Sequence, residues 1–96
     1  MTTADRIRAK CAEIAKFLVE KNRAYGDSAL CPVAIFARGE PEDLIRVRID
    51  DKLNRIRNAP DAFGEDPVRD LIGYLVLFEI AREDRSTTSV LSEDPR

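Results

Sequence analysis

The sequence contains no histidine, and only two of its 96 residues are cysteines. Without histidine, Ser-His-Asp and Cys-His nucleophilic catalysis are excluded, and so are zinc sites built on imidazole. Any metal chemistry would need carboxylate oxygens, the ligands that magnesium and manganese prefer. Cys11 lies on an apolar helical stripe and Cys31 precedes a proline, so we expect two reduced, structural thiols and no disulfide framework.

The sequence also has no apolar run near the roughly 18 residues of a membrane span, and its start does not have the pattern of a signal peptide. We therefore expect a cytoplasmic protein with no membrane partner. A formal net charge of −2 is not the basic excess typical of duplex nucleic-acid binding, although small nucleotides stay possible ligands.

The hydrophobic pattern predicts one all-helical domain over residues 1–85, followed by a polar tail over residues 86–96. The first helix is predicted from about Ala4 to Lys21, with Thr2 or Thr3 as its cap. Its apolar residues recur at helical spacing on one side. They are Ile7, Cys11, Ile14 and Leu18.

The second helix is predicted to begin at Glu40-Pro41 and to end near Asn58, because proline suits the first helical position. One apolar stripe contains Ile45, Ile49, Leu53 and Ile56. Leu44 and Val47 point to nearly the opposite side, so this helix has two apolar faces.

The third helix is predicted to start at Asp66-Pro67, and it is apolar on all sides from Leu71 to Ile80. Two other helices cannot enclose such a segment. A chain of this length also buries only roughly 60–65% of its unfolded surface. We therefore predict a small bundle of three main helices completed by oligomerisation, as a dimer or a larger homo-oligomer.

The first candidate site lies where the first helix ends. The plain interpretation places cations at the negative helix end, with Gly26 as the left-handed stop. The functional interpretation gives Tyr25 as a stacking face for a base, and Lys21 or Arg23 as a phosphate partner.

The second candidate site is the charged run over 46–55. Its plain interpretation is a solvated face with i,i+4 pairs joining Arg46 to Asp50 and Asp51 to Arg55. However, Lys52 lies near the edge of the apolar stripe and should either reach out to water or meet a carboxylate.

The third candidate site is Asp70, which stands where the third helix becomes wholly apolar. Its plain interpretation is an acid favoured by the helix dipole in the first turn. An acid entering a core needs a partner, so the alternative places Asp70 near Asp50, with Lys52 or an arginine between them.

Three blocks together resemble a known family. They are KNRAYGDS at 21–28, RIDDKLNRI at 48–56 and DLIGYL at 70–75. This set is similar to short phage and prophage proteins related to the nucleotide-modification-associated domain, itself similar to the all-α, MazG-like nucleoside triphosphate pyrophosphohydrolases. The resemblance implies an assembling helical bundle with magnesium-dependent nucleotide chemistry, in the host cytoplasm if a phage encodes it.

The resemblance implies particular roles. Metal ligands would be Asp50, Asp51 and Asp70. Ligand-binding residues would be Lys21, Arg23, Tyr25, Lys52 and Arg55. The family pattern has further acids, but here Asn54 or Arg55 stands at one of those positions and Pro67 at another.

Two functions follow as expectations, and the sequence does not decide between turnover and binding. One is a MazG-like, magnesium-dependent nucleotide pyrophosphohydrolase. The other is a non-catalytic nucleotide-binding oligomer that sequesters a nucleotide signal. A structural subunit without a small ligand is the third alternative.

Overall fold

The computed structural model describes residues 1–33, 38–59, 61 and 64–92, with side chains through Arg85. It confirms an all-α chain with three helices. These are α1 (Thr3–Ala24), α2 (Pro41–Asn58) and α3 (Pro67–Ser92). Helix α3 continues past residue 85, so part of the segment predicted to be a polar tail is helical; residues 93–96 lie outside the described part.

Both ends of α1 are fixed by local hydrogen bonds. The Thr2 hydroxyl accepts from the Asp5 amide and the Asp5 carboxylate accepts from the Thr2 amide, each at 3.1 Å. This reciprocal capping box satisfies two amides that have no partner inside the helix. After α1, Gly26 adopts a φ of 62°, the left-handed conformation that a helix stop favours.

The other two helices begin at the predicted residues. Pro41 occupies the first turn of α2, where its missing amide hydrogen costs no hydrogen bond. The Asp66 carboxylate accepts from the Arg69 amide at 3.1 Å, which caps the start of α3.

The core lies between α2 and α3, which pack along each other. Ile45 is 2% exposed and Ala81 is 6% exposed. They are the buried aliphatic side chains among the described residues, where Glu42, Pro67 and Gly73 are the other buried positions. Such a core is small for a 96-residue chain.

Helix α1 touches α3 over a short stretch, and no residue of α1 is buried. The approach is closest at Gly73. A Cβ atom at Gly73 would lie 2.6 Å from a methyl carbon of Leu18. The missing side chain of this glycine therefore sets the separation of the two helices.

A buried carboxylate joins the start of α2 to the later part of α3. Glu42 accepts from Arg46 at 3.0 Å and forms an ion pair with Arg85 at 2.9 Å. Phe78 lies beneath the guanidinium groups of Arg46 and Arg82, at 5.1 and 5.8 Å from the ring centre. The buried carboxylate of Glu42 is stable because each of its oxygens has a cationic partner.

One face of α3 is left uncovered. The exposed apolar side chains of this helix are Val68, Ile72, Leu75 and Val76. Within the described part of a single chain α3 is therefore covered on one side only, and its enclosure by a second chain stays a prediction. The second apolar face predicted for α2 is also only partly covered, because Leu44 is half-buried and Val47 is 57% exposed.

The chain is more open than a compact protein of its size. Its accessible surface is 7634 Å², whereas a compact 10.8 kDa monomer exposes about 5,500 Å². Its radius of gyration is 16.0 Å, against about 12.5 Å expected for 96 folded residues. The chain thus exposes about 2,000 Å² more surface than a compact monomer of its mass.

The helices also differ from membrane spans. Within the described residues, no helix combines the length and the hydropathy needed to cross a membrane.

Replacement of Glu42 by Gln should lower the free energy of unfolding by about 1–2 kcal/mol, because it removes a charge held by two arginines that are themselves half-exposed. The matched control is Asp43→Asn, which also removes a partner of Arg46 but is 65% exposed. The control should change stability by less than about 0.5 kcal/mol in urea denaturation. Equal losses for both variants would contradict the role given to Glu42.

Candidate functional site

Asp70 is the point at which all three helices meet. Its carboxylate, on the first turn of α3, is 2.8 Å from the Lys21 ammonium of α1 and 3.5 Å from the Lys52 ammonium of α2. The Asp70 side chain is 12% exposed and that of Lys52 is 19% exposed. The predicted partnership of Asp70 with Lys52 is thus present, and Lys21 is a second partner.

The surroundings of Lys21 favour its charged form. Partial burial alone lowers the pKa of this lysine, but the hydrogen bond and the negative charge of Asp70 outweigh that effect, with smaller contributions from Tyr74 and Tyr25. The net result is a pKa raised above its ordinary value. Lys21 is therefore a fixed cation over the whole physiological pH range.

Beside this ion pair lies an open cavity of about 660 Å³. It is bounded by the second half of α1, the connection after it, the first half of α2 and the first half of α3. Its lining is mainly apolar, and its charged or polar positions are Lys21, Asn22, Tyr25, Ser28, Arg48, Asp51, Asp70 and Tyr74. A volume of this size suits a small-molecule ligand.

The second apolar face of α2 forms one wall of this cavity. Leu44 and Val47 both line it, together with Leu18 of α1 and Leu77 of α3. The sequence indicated that this face needs cover. In the structure it faces a cavity instead of packing closely against another helix of the same chain.

The predicted site residues divide into two groups. Those that line the cavity are Lys21, Tyr25, Asp51 and Asp70. Those outside the lining are Arg23, Asp50, Lys52 and Arg55. Lys52 does not line the cavity, but its ammonium group forms an ion pair with the Asp70 carboxylate, which does.

Asp50 does not join Asp70. Residues two positions apart on a helix point about 200° apart, so Asp50 is exposed while Lys52 turns inward. Arg55 forms an ion pair with Glu65, just before α3, at 2.8 Å. It thus ties the end of α2 to the chain entering α3.

The ion pairs of α2 differ from the i,i+4 ladder predicted for its charged run. Arg46 turns toward the helix start, where it meets Glu42 at 3.0 Å and Asp43 at 3.1 Å. The physical reason is that the buried Glu42 carboxylate needs a cationic partner, whereas the exposed Asp50 carboxylate is stabilised by water.

Four polar or charged residues of the lining were not among the predicted site residues, namely Asn22, Ser28, Arg48 and Tyr74, and the last two matter most for binding. Arg48 lines the cavity and has no carboxylate within ion-pair distance among the described side chains. Tyr74 lines it one helical turn after Asp70. The signal for both was spacing, since Arg48 follows Leu44 by four residues and Tyr74 follows Asp70 by four, which places each pair on one helical face.

The acids do not form a metal cage. Among the described residues, no group of three or more histidine, cysteine, aspartate or glutamate side chains is placed to hold a metal ion. Each oxygen of Asp70 already faces an ammonium group. A magnesium ion would have to displace Lys21 or Lys52, so these residues do not fit the cluster of carboxylates that multi-metal chemistry requires.

The two cysteines are free thiols, and both are exposed. The thiol of Cys31 donates a hydrogen bond to the Asp27 carboxylate at 3.5 Å. This hydrogen bond and the charge of Asp27 raise the pKa of the Cys31 thiol. Cys31 is therefore less nucleophilic than an ordinary thiol at neutral pH.

Comparison with known proteins gives no relative. No family model, no curated protein and no solved structure matches the chain.

Replacement of Asp70 by Asn should lower the free energy of unfolding by about 1–2 kcal/mol, because two lysines then face each other without the carboxylate. Asp50→Asn, the same change at an exposed position of α2, should stay within about 0.5 kcal/mol of the parent protein. Urea denaturation at neutral pH measures both. If the two variants were equally stable, the contact of Asp70 with Lys21 and Lys52 would not hold the helices together.

The raised pKa of Lys21 also predicts how this difference depends on pH. A raised folded-state pKa gives stability that is complete below the unfolded-state pKa and is lost as pH rises through the folded-state value. The stability gap between the parent protein and Asp70→Asn should be constant from about pH 7 to about pH 9 and should shrink above about pH 10.4. A gap that grows in alkali would contradict the assignment.

Proposed function

We propose that this protein is a non-catalytic nucleotide-binding protein that works as a homo-oligomer, and that the cavity beside Asp70 is its ligand site. The observation that carries the proposal is the lining of this cavity. Tyrosine faces, an arginine and a lysine converge on one mainly apolar space of about 660 Å³. A nucleotide has the matching parts, a flat base and anionic phosphate.

The charges at the cavity favour an anion. Lys21 and Arg48 line it, and so do Asp51 and Asp70. Lys52 adds a further positive charge behind Asp70, so the immediate surroundings carry one more cation than anions. Arg48 is the better phosphate partner, because Lys21 already binds Asp70, and a guanidinium can bind phosphate through two parallel hydrogen bonds.

Tyr25 is the best placed stacking surface. It lines the cavity just after the end of α1, yet 64% of it is exposed, so a base can reach the ring face. Stacking between a base and an aromatic side chain is worth about 1–3 kcal/mol in single-strand binders. Tyr74 lines the same cavity and is half-buried, which suits an orienting hydroxyl group.

Binding is favoured over hydrolysis by the state of the acids. Asp70 is occupied by two lysines and Asp50 points away from the cavity. The second candidate is magnesium-dependent pyrophosphate release, and the observation in its favour is that Asp51 and Asp70 line the same cavity. It agrees with the family resemblance of the sequence, but it requires Lys21 or Lys52 to leave the Asp70 carboxylate.

The oligomeric part of the proposal has separate support. The chain buries two aliphatic side chains well and leaves about 2,000 Å² more surface exposed than a compact monomer of its mass. Marginal chains of this size commonly gain stability by association. We propose a dimer or larger assembly of identical chains.

Replacement of Tyr25 by Ala should weaken nucleotide binding by about 5-fold or more, the low end of the stacking energy, whereas Tyr25→Phe should bind like the parent protein. Arg48→Gln should weaken binding of phosphorylated ligands and leave nucleosides unaffected. Arg57→Gln, an exposed arginine of α2 outside the cavity lining, is the matched control. Titration calorimetry measures each variant.

The same calorimetry should use a panel of mono-, tri- and cyclic nucleotides, with magnesium and with a chelator. The proposal predicts binding that survives chelation and returns the nucleotide intact. Magnesium-dependent release of pyrophosphate would establish the second candidate instead. No heat with any member of the panel would contradict both and favour a structural subunit.

A further inference from the structure

Two apolar surfaces are left without cover by the residues that the structure describes. One, the α1 stripe, consists of Ile7, Cys11 and Ile14, of which Ile7 is 59% exposed and Cys11 is also exposed. The other, the α3 outer stripe, consists of Val68, Ile72, Leu75 and Val76. Each is formed by residues at helical spacing on a single face.

The α1 stripe continues a face that already packs. Leu18, four residues after Ile14 on that face, contacts α3 at Gly73, and Glu13 binds Arg69 at 3.1 Å. Among the described residues, the contacts of α1 with α3 run from Glu13 to Lys21, so α3 accompanies the second half of α1 and not the first. The first half of α1 thus carries a packing surface for which this chain supplies no helix among its described residues.

The α3 outer stripe lies on the opposite side of α3 from its core face. Leu75 and Ile72 are 45% and 37% exposed, whereas Gly73 and Ala81, on the other side, are buried. The stripe spans two and a half turns of an α-helix, which is about the length of the uncovered part of α1.

The charges near the two stripes are complementary. The first sixteen residues of the chain contain four basic residues and two acidic residues. Glu79 and Glu83 follow the α3 outer stripe on the same face, four and eight residues after Leu75, and Glu79 is paired with Arg82 at 2.9 Å, so these three residues carry a net charge of −1. Both glutamates are exposed. A basic apolar helix therefore fits this face of α3 better than another copy of the same acidic face.

We infer that the α1 stripe of one protomer docks on the α3 outer stripe of a second copy, and that the second copy returns the same contact. Such a reciprocal pair closes as a symmetric dimer. The inference rests on the oligomeric part of the proposed function and is independent of nucleotide binding.

The first test places a charge in each stripe. Ile7→Glu and Leu75→Glu should each raise the dimer dissociation constant by about 10-fold or more, because each change occurs twice in a symmetric interface. Leu53→Glu is the matched control, since Leu53 is 50% exposed on α2 and belongs to neither stripe. Sedimentation velocity at micromolar concentration measures assembly, and circular dichroism verifies that each variant is helical.

The outcomes distinguish failure of the proposed oligomer from failure of this particular interface. A monomeric parent protein at micromolar concentration would overturn the oligomer and this interface together. A parent oligomer that survives both Ile7→Glu and Leu75→Glu would overturn the interface alone. Equal loss of assembly in Leu53→Glu would mean that the effect of an added charge is not specific to the two stripes, and it would also overturn the interface.

A second test does not depend on the stability of charged variants. In a Cys31→Ser background, Val68→Cys, Ile72→Cys and Leu75→Cys are each oxidised with Cys11 in place. At least one of them should form a covalent dimer that the parent background and Leu53→Cys do not form. If no stripe cysteine cross-links above those two controls, the docking inference is wrong.

Discussion

The contact between Asp70 and the two lysines fixes the relation of all three helices. Two other tertiary contacts of α1 are the exposed ion pair of Glu13 with Arg69 and the packing of Leu18 against the buried Gly73. Within the described part of the chain, only the Asp70 carboxylate forms ion pairs with both α1 and α2. Partial burial of these charges carries a desolvation cost that offsets part of their attraction. The ion pairs therefore specify one arrangement of the helices as much as they stabilise the fold.

The openness of the chain has one cause. The apolar residues of the sequence are spread over several helical faces, and three helices joined in this order can cover only some of them. Ile45 and Ala81 face the α2–α3 seam, while Leu44 and Val47 line the cavity and Leu75 faces outward. The uncovered faces thus divide into a concave one, suited to a small ligand, and a convex one, suited to a second chain. The two proposals use different surfaces and do not compete.

Sequence alone predicted the helices well, because their ends are set by local chemistry. Thr2, Pro41 and Asp66 act within three or four residues of themselves, so their effect can be predicted without knowing the fold. The need of Asp70 for a partner was also predictable, as was the inward position of Lys52. The identity of Lys21 as a second partner was not, because it depends on how α1 crosses α3. The same limit applies to Arg46 and to the place of Arg48 in the cavity.

Hydrogen–deuterium exchange tests the central claim, which is that nucleotides bind in the cavity beside Asp70. Exchange is measured on the full chain with and without each nucleotide of the panel at saturating concentration. The account predicts slower exchange in peptides that contain residues 18–33 and 44–51, which supply Tyr25 and Arg48 to the lining. Unchanged exchange in both segments, or protection confined to the first half of α1, would contradict it.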